Sequence, residues 1–335
     1  MTTEQPTPST GQLTPSIDPT VTVVSGGVGA ARFLSGLRDA IDPTQITAVV
    51  NTGDDIVLHG LSISPDLDTI TYTLANATDP VRGWGLVDET WNAMGALERY
   101  AGVRPAGSAA ATQWFNLGDQ DLATHFYRTA RLAEGATLTE VTEEIRAAWD
   151  LPIRLLPMSD DRRTTIVTTA DHGDVSFQDY FVRLRHDVAT TAVRFEGTAA
   201  LTQSARSALI DAHIVVIAPS NPLVSIAPIR SLDGVDGLLA ARRDSVVAVS
   251  PIVGGEALKG PAARMMTELG QEASVVGVAR LYASIAAALV IDPLDAHLAD
   301  AIVAEGMKCI ITPSIMSSPE IARELALTTL QAVCT

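Results

Sequence analysis

Seven carboxylates fall between residues 51 and 90 (Asp54, Asp55, Asp66, Asp68, Asp79, Asp88 and Glu89), against the single base Arg82. Charge runs are usually solvated faces, but DDIVLHGLSISPDLDT (54–69) sets paired acids beside apolar residues. Like charges held close repel unless a cation lies between them. Hard oxygen ligands suit Mg²⁺, which takes one or two carboxylates and leaves its other positions to water or phosphate. Asp54, Asp55, Asp66 and Asp68 are the candidates for that role. Upstream, Ser25-Gly26-Gly27-Val28-Gly29 is small enough for backbone N–H groups to approach a phosphate at a helix start. The turn is not a P-loop, since no Gly-Lys-Ser/Thr follows, and Arg32 stands where a dinucleotide fingerprint needs its third glycine. Glycines there also serve a tight turn that binds nothing. Ser220 and Asn221 lie between Pro219 and Pro222, which restrict the backbone around them, although Ser-Asn is ordinary turn chemistry too. In LGDQDLATH (117–125), Asp119, Asp121 and His125 suit a polar site, and His125 equally suits a satisfied helix histidine. Nucleophilic chemistry is poorly supported: there is no Gly-x-Ser-x-Gly elbow, and the six histidines show no zinc spacing. Cys309 and Cys334 read as structural or inert.

These residues need elements to hold them. VTVVS (21–25) is a β-branched run bounded by glycine, and after it Phe33, Leu34, Leu37 and Ile41 recur at helical spacing. ITAVV (46–50) follows and ends in NTGDD, so strand, turn, helix and strand form a parallel βαβ unit. Residues 66–100 and 119–150 read as helical with breaks. Within the second, Thr137 and Glu140 make a capping-box pattern. The 164–185 segment, with its Asp-His-Gly-Asp turn signal, reads as an antiparallel excursion. AHIVVIAPSNP (212–222), SVVAVSPIVGG (245–255), EASVVGVARLYASI (272–285) and LVIDPLDA (289–296) read as further strand-to-loop units. The expected fold is α/β: a doubly wound, Rossmann-like, mostly parallel sheet with an inserted helical and β section at about 120–205. Ligands of such sheets bind beyond the carboxyl ends of the strands, where SGGVG, NTGDD, APSNP and SPIVGG would share one rim.

The chain has 335 residues, and 23 Lys+Arg against 39 Asp+Glu give a net charge of −16. Such a surface repels phosphate backbones, so no nucleic-acid partner is expected. With 47% hydrophobic residues a large core is expected. Residues 1–20 are rich in Thr, Pro and Ser without Lys or Arg, so a flexible tail is expected there and a catalytic unit over 21–335. They carry no export signal. The apolar run YASIAAALVI (282–291) is half the roughly 20 residues a membrane span needs, so no membrane partner and a cytoplasmic location are expected.

Taken together, several motifs resemble one family. They are SGGVGAARFLSGL (25–37), NTGDDIVLHGLSISPDLDT (51–69), RGWG (82–85), LGDQDLATH (117–125), LLPMSDD (155–161), FQDYFVR (177–183), APSNPLVSIAPI (218–229) and SPIVGGEALKGPA (250–262). In this order they resemble the 2-phospho-lactate transferase (FbiA/CofD) family of coenzyme F420 biosynthesis. The 20-residue lead departs from the family, whose members usually start near the first strand. The resemblance implies a Mg²⁺-dependent phosphoryl transfer. The ribityl hydroxyl of the deazaflavin Fo attacks a guanosine diphosphate-linked three-carbon acid, GMP leaves, and a phosphodiester forms. It implies that Ser25, Gly26, Gly27, Gly29, Ser220 and Asn221 hold the donor, with Arg32 as a phosphate clamp and Asp66 and Asp119 alongside. Asp54 and Asp68 would be catalytic, and Asp54, Asp55 and Asp68 would be the metal ligands. A homodimer is expected. The wording of GGVGAARFL and DLATH favours the phosphoenolpyruvyl donor over the 2-phospho-lactyl one, hence dehydro-F420-0 as product. The alternative is a sugar-nucleotide-binding regulator of the gluconeogenesis-factor type, against which SPDLDT argues. An NAD(P)-dependent oxidoreductase is disfavoured by Arg32.

Overall fold

The computed structural model describes residues 19–106, 108, 110–257 and 260–333. Of the tail expected over residues 1–20, residues 1–18 lie outside the described residues, as does Cys334, while Thr20 is hydrogen-bonded to His213. The first strands are β1 (Val21–Ser25) and β2 (Ile46–Val50), followed by the hairpin β3 (Ile56–Leu58) and β4 (Leu61–Ile63). β5 (Arg154–Pro157), β6 (Thr164–Thr169), β7 (Gly173–Ser176) and β8 (Thr190–Glu196) come next. The last are β9 (Ile214–Ile217), β10 (Val246–Val249), the short pair β11 (Ile252–Val253) and β12 (Glu256–Ala257), β13 (Ala288–Ile291) and β14 (Lys308–Ile311).

Seven of these form one sheet in the order β14-β13-β10-β9-β1-β2-β5, every pair parallel. All five β1 residues are buried, as are all of β9, β10 and β13. A parallel sheet covered on both faces requires such continuous apolar runs. Successive residues feed opposite layers: Val24, Val49, Val215 and Ile217 join one core cluster, and Val23, Ala48, Val50 and Val216 join the other. The chain runs outward from β1 to β2 and β5, then returns to the far side of β1 as β9. The switch point between β1 and β9 is where an open α/β sheet leaves a crevice at its carboxyl edge.

Helix α1 (Gly27–Arg38) follows β1 directly, and α2 (Pro65–Leu74) follows the β3–β4 hairpin. α1 packs between α2 and the C-terminal helix Pro319–Gln331. That approach is close enough for a Cβ at Gly36 to lie 2.3 Å from the Ala322 carbonyl oxygen. Further along come α3 (Asn92–Ala101), α4 (Asp121–Ala133) and α5 (Leu138–Ala148). The capping box expected at α5 is present, Thr137 and Glu140 each satisfying the other's backbone. Of the stretch 120–205, β5 completes the edge of the central sheet, and β7-β6-β8 form a separate antiparallel sheet, as the 164–185 pattern suggested.

One strand expectation is corrected. Val275–Tyr282, inside EASVVGVARLYASI, is a helix. Ser274 accepts hydrogen bonds from the Val276 and Gly277 N–H groups and caps it. Val275, Val278, Ala279 and Tyr282 are buried at helical spacing. The cap and the packing override the β-branched composition.

Candidate active site

A cavity of about 950 Å³ opens at the carboxyl edge of the sheet. Its floor is the start of α1. Gly26 is the N-cap and offers no side chain, and the first turn carries no acid, so the helix end presents backbone N–H groups and the positive end of its dipole. Gly27, at φ +68°, makes the turn. A Cβ at Gly29 would fall 2.1 Å from the Pro219 carbonyl oxygen, so glycine lets α1 close onto the loop after β9. Ser220 fastens the same contact, donating its hydroxyl to the Gly26 carbonyl at 2.7 Å. Asn221 caps its own turn through the Leu223 N–H, at 2.9 Å. Both residues line the cavity, but their oxygens shape the rim. Ser25 is fully buried off the wall and donates to the Val23 carbonyl at 3.0 Å. Arg32 stands exposed on the wall, with no ion pair among the described residues.

The acids divide by partner. Asp54 and Asp66 are buried on the wall, at 6% and 7% exposure. Asp66 accepts from Asn51 Nδ2 at 2.9 Å and from the Gly27 N–H, so one carboxylate already sits at the α1 terminus. Burial lifts its pKa to about 6. Asp54 Oδ1 is buried without a hydrogen-bond partner. Burial first, then the charge of Asp66, pushes the Asp54 carboxyl well above its ordinary range. Asp55 lies off the wall and accepts from the Ser64 hydroxyl at 2.7 Å; burial raises it to about 8. Asp68, 5% exposed, is bound by Arg128, whose two terminal nitrogens reach its two oxygens. Asp119 lies outside the cavity wall. Its carboxylate accepts the Asn92 and Ala93 N–H groups at 3.0 and 2.9 Å and so anchors the start of α3.

Asp121 and His125, which the sequence offered for a polar site, line the wall, and so does Tyr72, which it did not single out; Arg128 stands behind them. Tyr72 on α2 donates its hydroxyl to Asp121 at 2.6 Å. Asp121 Oδ2 lies 3.2 Å from His125 Nε2, and His125 Nδ1 lies 3.3 Å from Arg128. Asp121, His125 and Arg128 fall at i, i+4 and i+7 of α4, a spacing visible in the sequence once its helical register is known. Asp68, Asp121 and His125 bring their ligand atoms within 4.8 Å of one another, a possible metal-binding group. Aromatic side chains complete the wall: Trp84, Trp114 and Phe115 from the loops around α3, and Phe177 and Phe181 beside the antiparallel sheet. The Arg82 guanidinium stacks over Trp84 and Trp91, 5.8 and 5.4 Å from their ring centres, and stiffens the RGWG loop. Ser314–Ser317 close the rim, held by Asp292, which accepts the Ser314 N–H at 2.8 Å.

Such a site can bind a bulky anion carrying a planar ring and can place carboxylates against it. Comparison with known proteins narrows this. Two crystal structures of a Bacillus halodurans protein, one described as a member of the UPF0052 family, share the fold. Their TM-scores are 0.59 and 0.57 at 14% identity, covering 93% of this chain and 99% and 100% of theirs. The phosphoenolpyruvate transferase of Kitasatospora aureofaciens is 39% identical over 92% of this chain and 96% of its own. That of Mycobacterium tuberculosis is 39% identical over 91% and 96%, and that of Mycobacterium avium 38% over 93% and 98%. The family model described as 2-phospho-L-lactate transferase CofD matches residues 21–306. By fold, motif order and extended sequence similarity, the chain belongs to the CofD family of transferases that serve coenzyme F420 biosynthesis.

Proposed function

We propose that this protein transfers a phosphoenolpyruvyl group from a guanosine diphosphate-linked donor to the ribityl hydroxyl of Fo, releasing GMP and giving dehydro-F420-0. The enolpyruvyl donor is preferred over the lactyl one because the similar curated proteins are phosphoenolpyruvate transferases. The observation that carries the reading is the meeting, on one wall, of a helix start, buried acids with no ion-pair partner among the described residues, and one acid pinned by an arginine.

Phosphoryl transfer is mostly a matter of positioning and charge neutralisation. The α1 terminus and Arg32 bind the donor's diphosphate. The aromatic wall takes planar rings and excludes water. Asp68 receives the hydrogen bond of the attacking hydroxyl and takes its proton as the new P–O bond forms. The bond to GMP breaks, and GMP carries away the electron pair.

The donor set fits a hard divalent cation. Asp54 has an orphaned buried oxygen, and Asp66 adds a second buried carboxylate with no ion pair among the described residues. Asp54 and Asp66 would hold Mg²⁺, which when bound supplies neutralisation of the diphosphate charge. Of the ligands expected from sequence, Asp55 does not line the cavity and is bonded to Ser64, and Asp68 already has Arg128. The test is purified protein with Fo, Mg²⁺ and each guanylated three-carbon donor. GMP release that depends on Fo is expected, and no release with any such donor overturns the reading.

A further inference from the structure

A fully buried arginine stands behind the active-site wall with no role in the chemistry so far. Arg128 is 2% exposed, among the largest fully buried side chains of the described residues. One terminal nitrogen lies 3.2 Å from Asp68 Oδ2, and the other binds Asp68 Oδ1. The first also lies 3.4 Å from the Ser62 carbonyl oxygen and 3.3 Å from His125 Nδ1. Its Nε is buried without a partner. A buried ion pair is weak evidence for stability, because desolvating both charges offsets most of the attraction. What the fork does supply is geometry: two parallel bonds fix the plane of the carboxylate as a single ammonium cannot.

Apart from His125, Arg128 is the only base within ion-pair distance of Asp68 among the described residues. A carboxylate oxygen has two acceptor directions. The fork uses one on each oxygen and leaves the others for the cavity, which Asp68 lines. Arg128 also places a positive charge beside both Asp68 and His125. The possible metal-binding group of Asp68, Asp121 and His125 is thereby already supplied with a cation.

We infer that Arg128 is a positioning residue, which acts through Asp68 by fixing its carboxylate toward the acceptor hydroxyl and withholding it from the divalent cation. This rests on the transferase reading and on Asp68 as the residue that meets the hydroxyl. It divides the acids between two tasks, Asp54 and Asp66 for the cation and Asp68 for the acceptor.

The test is Arg128→Lys, which keeps the charge and removes the fork. The expected result is a kcat at least tenfold lower, with KM for donor and acceptor and the Mg²⁺ concentration for half-activity within twofold of wild type. In the Asp68→Asn background, Arg128→Lys should add less than a twofold loss, because its effect passes through Asp68. Wild-type kcat in Arg128→Lys, a multiplicative loss in the double variant, or a tenfold shift in the Mg²⁺ requirement of either single variant overturns the inference. Should Arg128→Lys fail to melt cooperatively, a crystal structure of the wild-type protein with Fo and Mg²⁺ decides. The fork should remain on Asp68 with the ribityl hydroxyl against the same carboxylate; Mg²⁺ on Asp68 or a displaced Arg128 overturns it. Wild-type protein that transfers to no acceptor would instead defeat the transferase reading itself.

Discussion

At the scale of single residues, the acidic segment separates into carboxylates with different partners. Asp68 is held by Arg128, Asp66 by Asn51 and the start of α1, Asp55 by Ser64, and Asp54 is left with an orphaned oxygen. Asp68→Ala should cut turnover at least 100-fold without unfolding the protein, checked by GMP release and thermal melting; a wild-type rate would remove Asp68 from the site. Asp54→Asn should raise the Mg²⁺ requirement at least tenfold. Because it replaces a buried ionisable carboxyl that has an orphaned oxygen with a neutral amide, it should also leave metal-free melting unchanged or a few degrees higher, on the order of 1 kcal/mol. Asp55 gives a pH signature. Its folded pKa of about 8 lies above the unfolded value near 3.8, so its contribution to stability is fully present below about pH 4 and is lost as pH rises through 8. In metal-free protein, melting measured from pH 5 to 9 should decline less steeply in Asp55→Asn than in wild type. A parallel decline in the two would contradict the raised pKa.

At the scale of elements, glycine sets how closely α1 can approach its neighbours at both ends. Gly29 lets its start meet the Pro219 carbonyl, and Gly36 lets its far half meet helix Pro319–Gln331. Overpacking of this kind costs typically 1–3 kcal/mol. Gly29→Ala and Gly36→Ala should therefore both lower the melting temperature by several degrees. Only Gly29→Ala should also lose donor affinity when assayed well below melting, because only it disturbs the cavity floor. Equal donor KM in the two variants would detach the α1 start from donor binding. The βαβ opening was legible because the apolar period changes from strand to helix within 21–50. Val275–Tyr282 was not legible, since its β-branched composition argues for a strand and only the Ser274 cap and the burial decide for a helix. The Gly-rich turn was legible as a helix start, whereas Ser220 and Asp119 proved to be fasteners, whose hydrogen bonds depend on contacts far along the chain.

At the scale of the whole molecule, the net charge of −16 is unevenly spread: seven acids and one base fall within residues 51–90, beside the cavity in which we propose that an anionic donor binds. Arg32, the α1 dipole and Arg82, which is paired with Asp79, are positive features of its wall, and a divalent cation on Asp54 and Asp66 would add to them. No helix of the described residues is long and apolar enough to cross a membrane. The carboxyl-edge rim was legible from strand endings, because a parallel sheet brings them together whatever their order in the chain. The aromatic wall was not, since Trp84, Trp114, Phe177 and Phe181 meet only through loops and a separate sheet. The central claim is tested most directly by mass spectrometry of the product formed from Fo with Mg²⁺ and an equal mixture of the guanylated enolpyruvyl and lactyl donors. The expected result is stoichiometric GMP and a predominant product two hydrogens lighter than the lactyl diester. A predominant lactyl product would contradict the donor assignment, and absence of both diesters would contradict the transferase account.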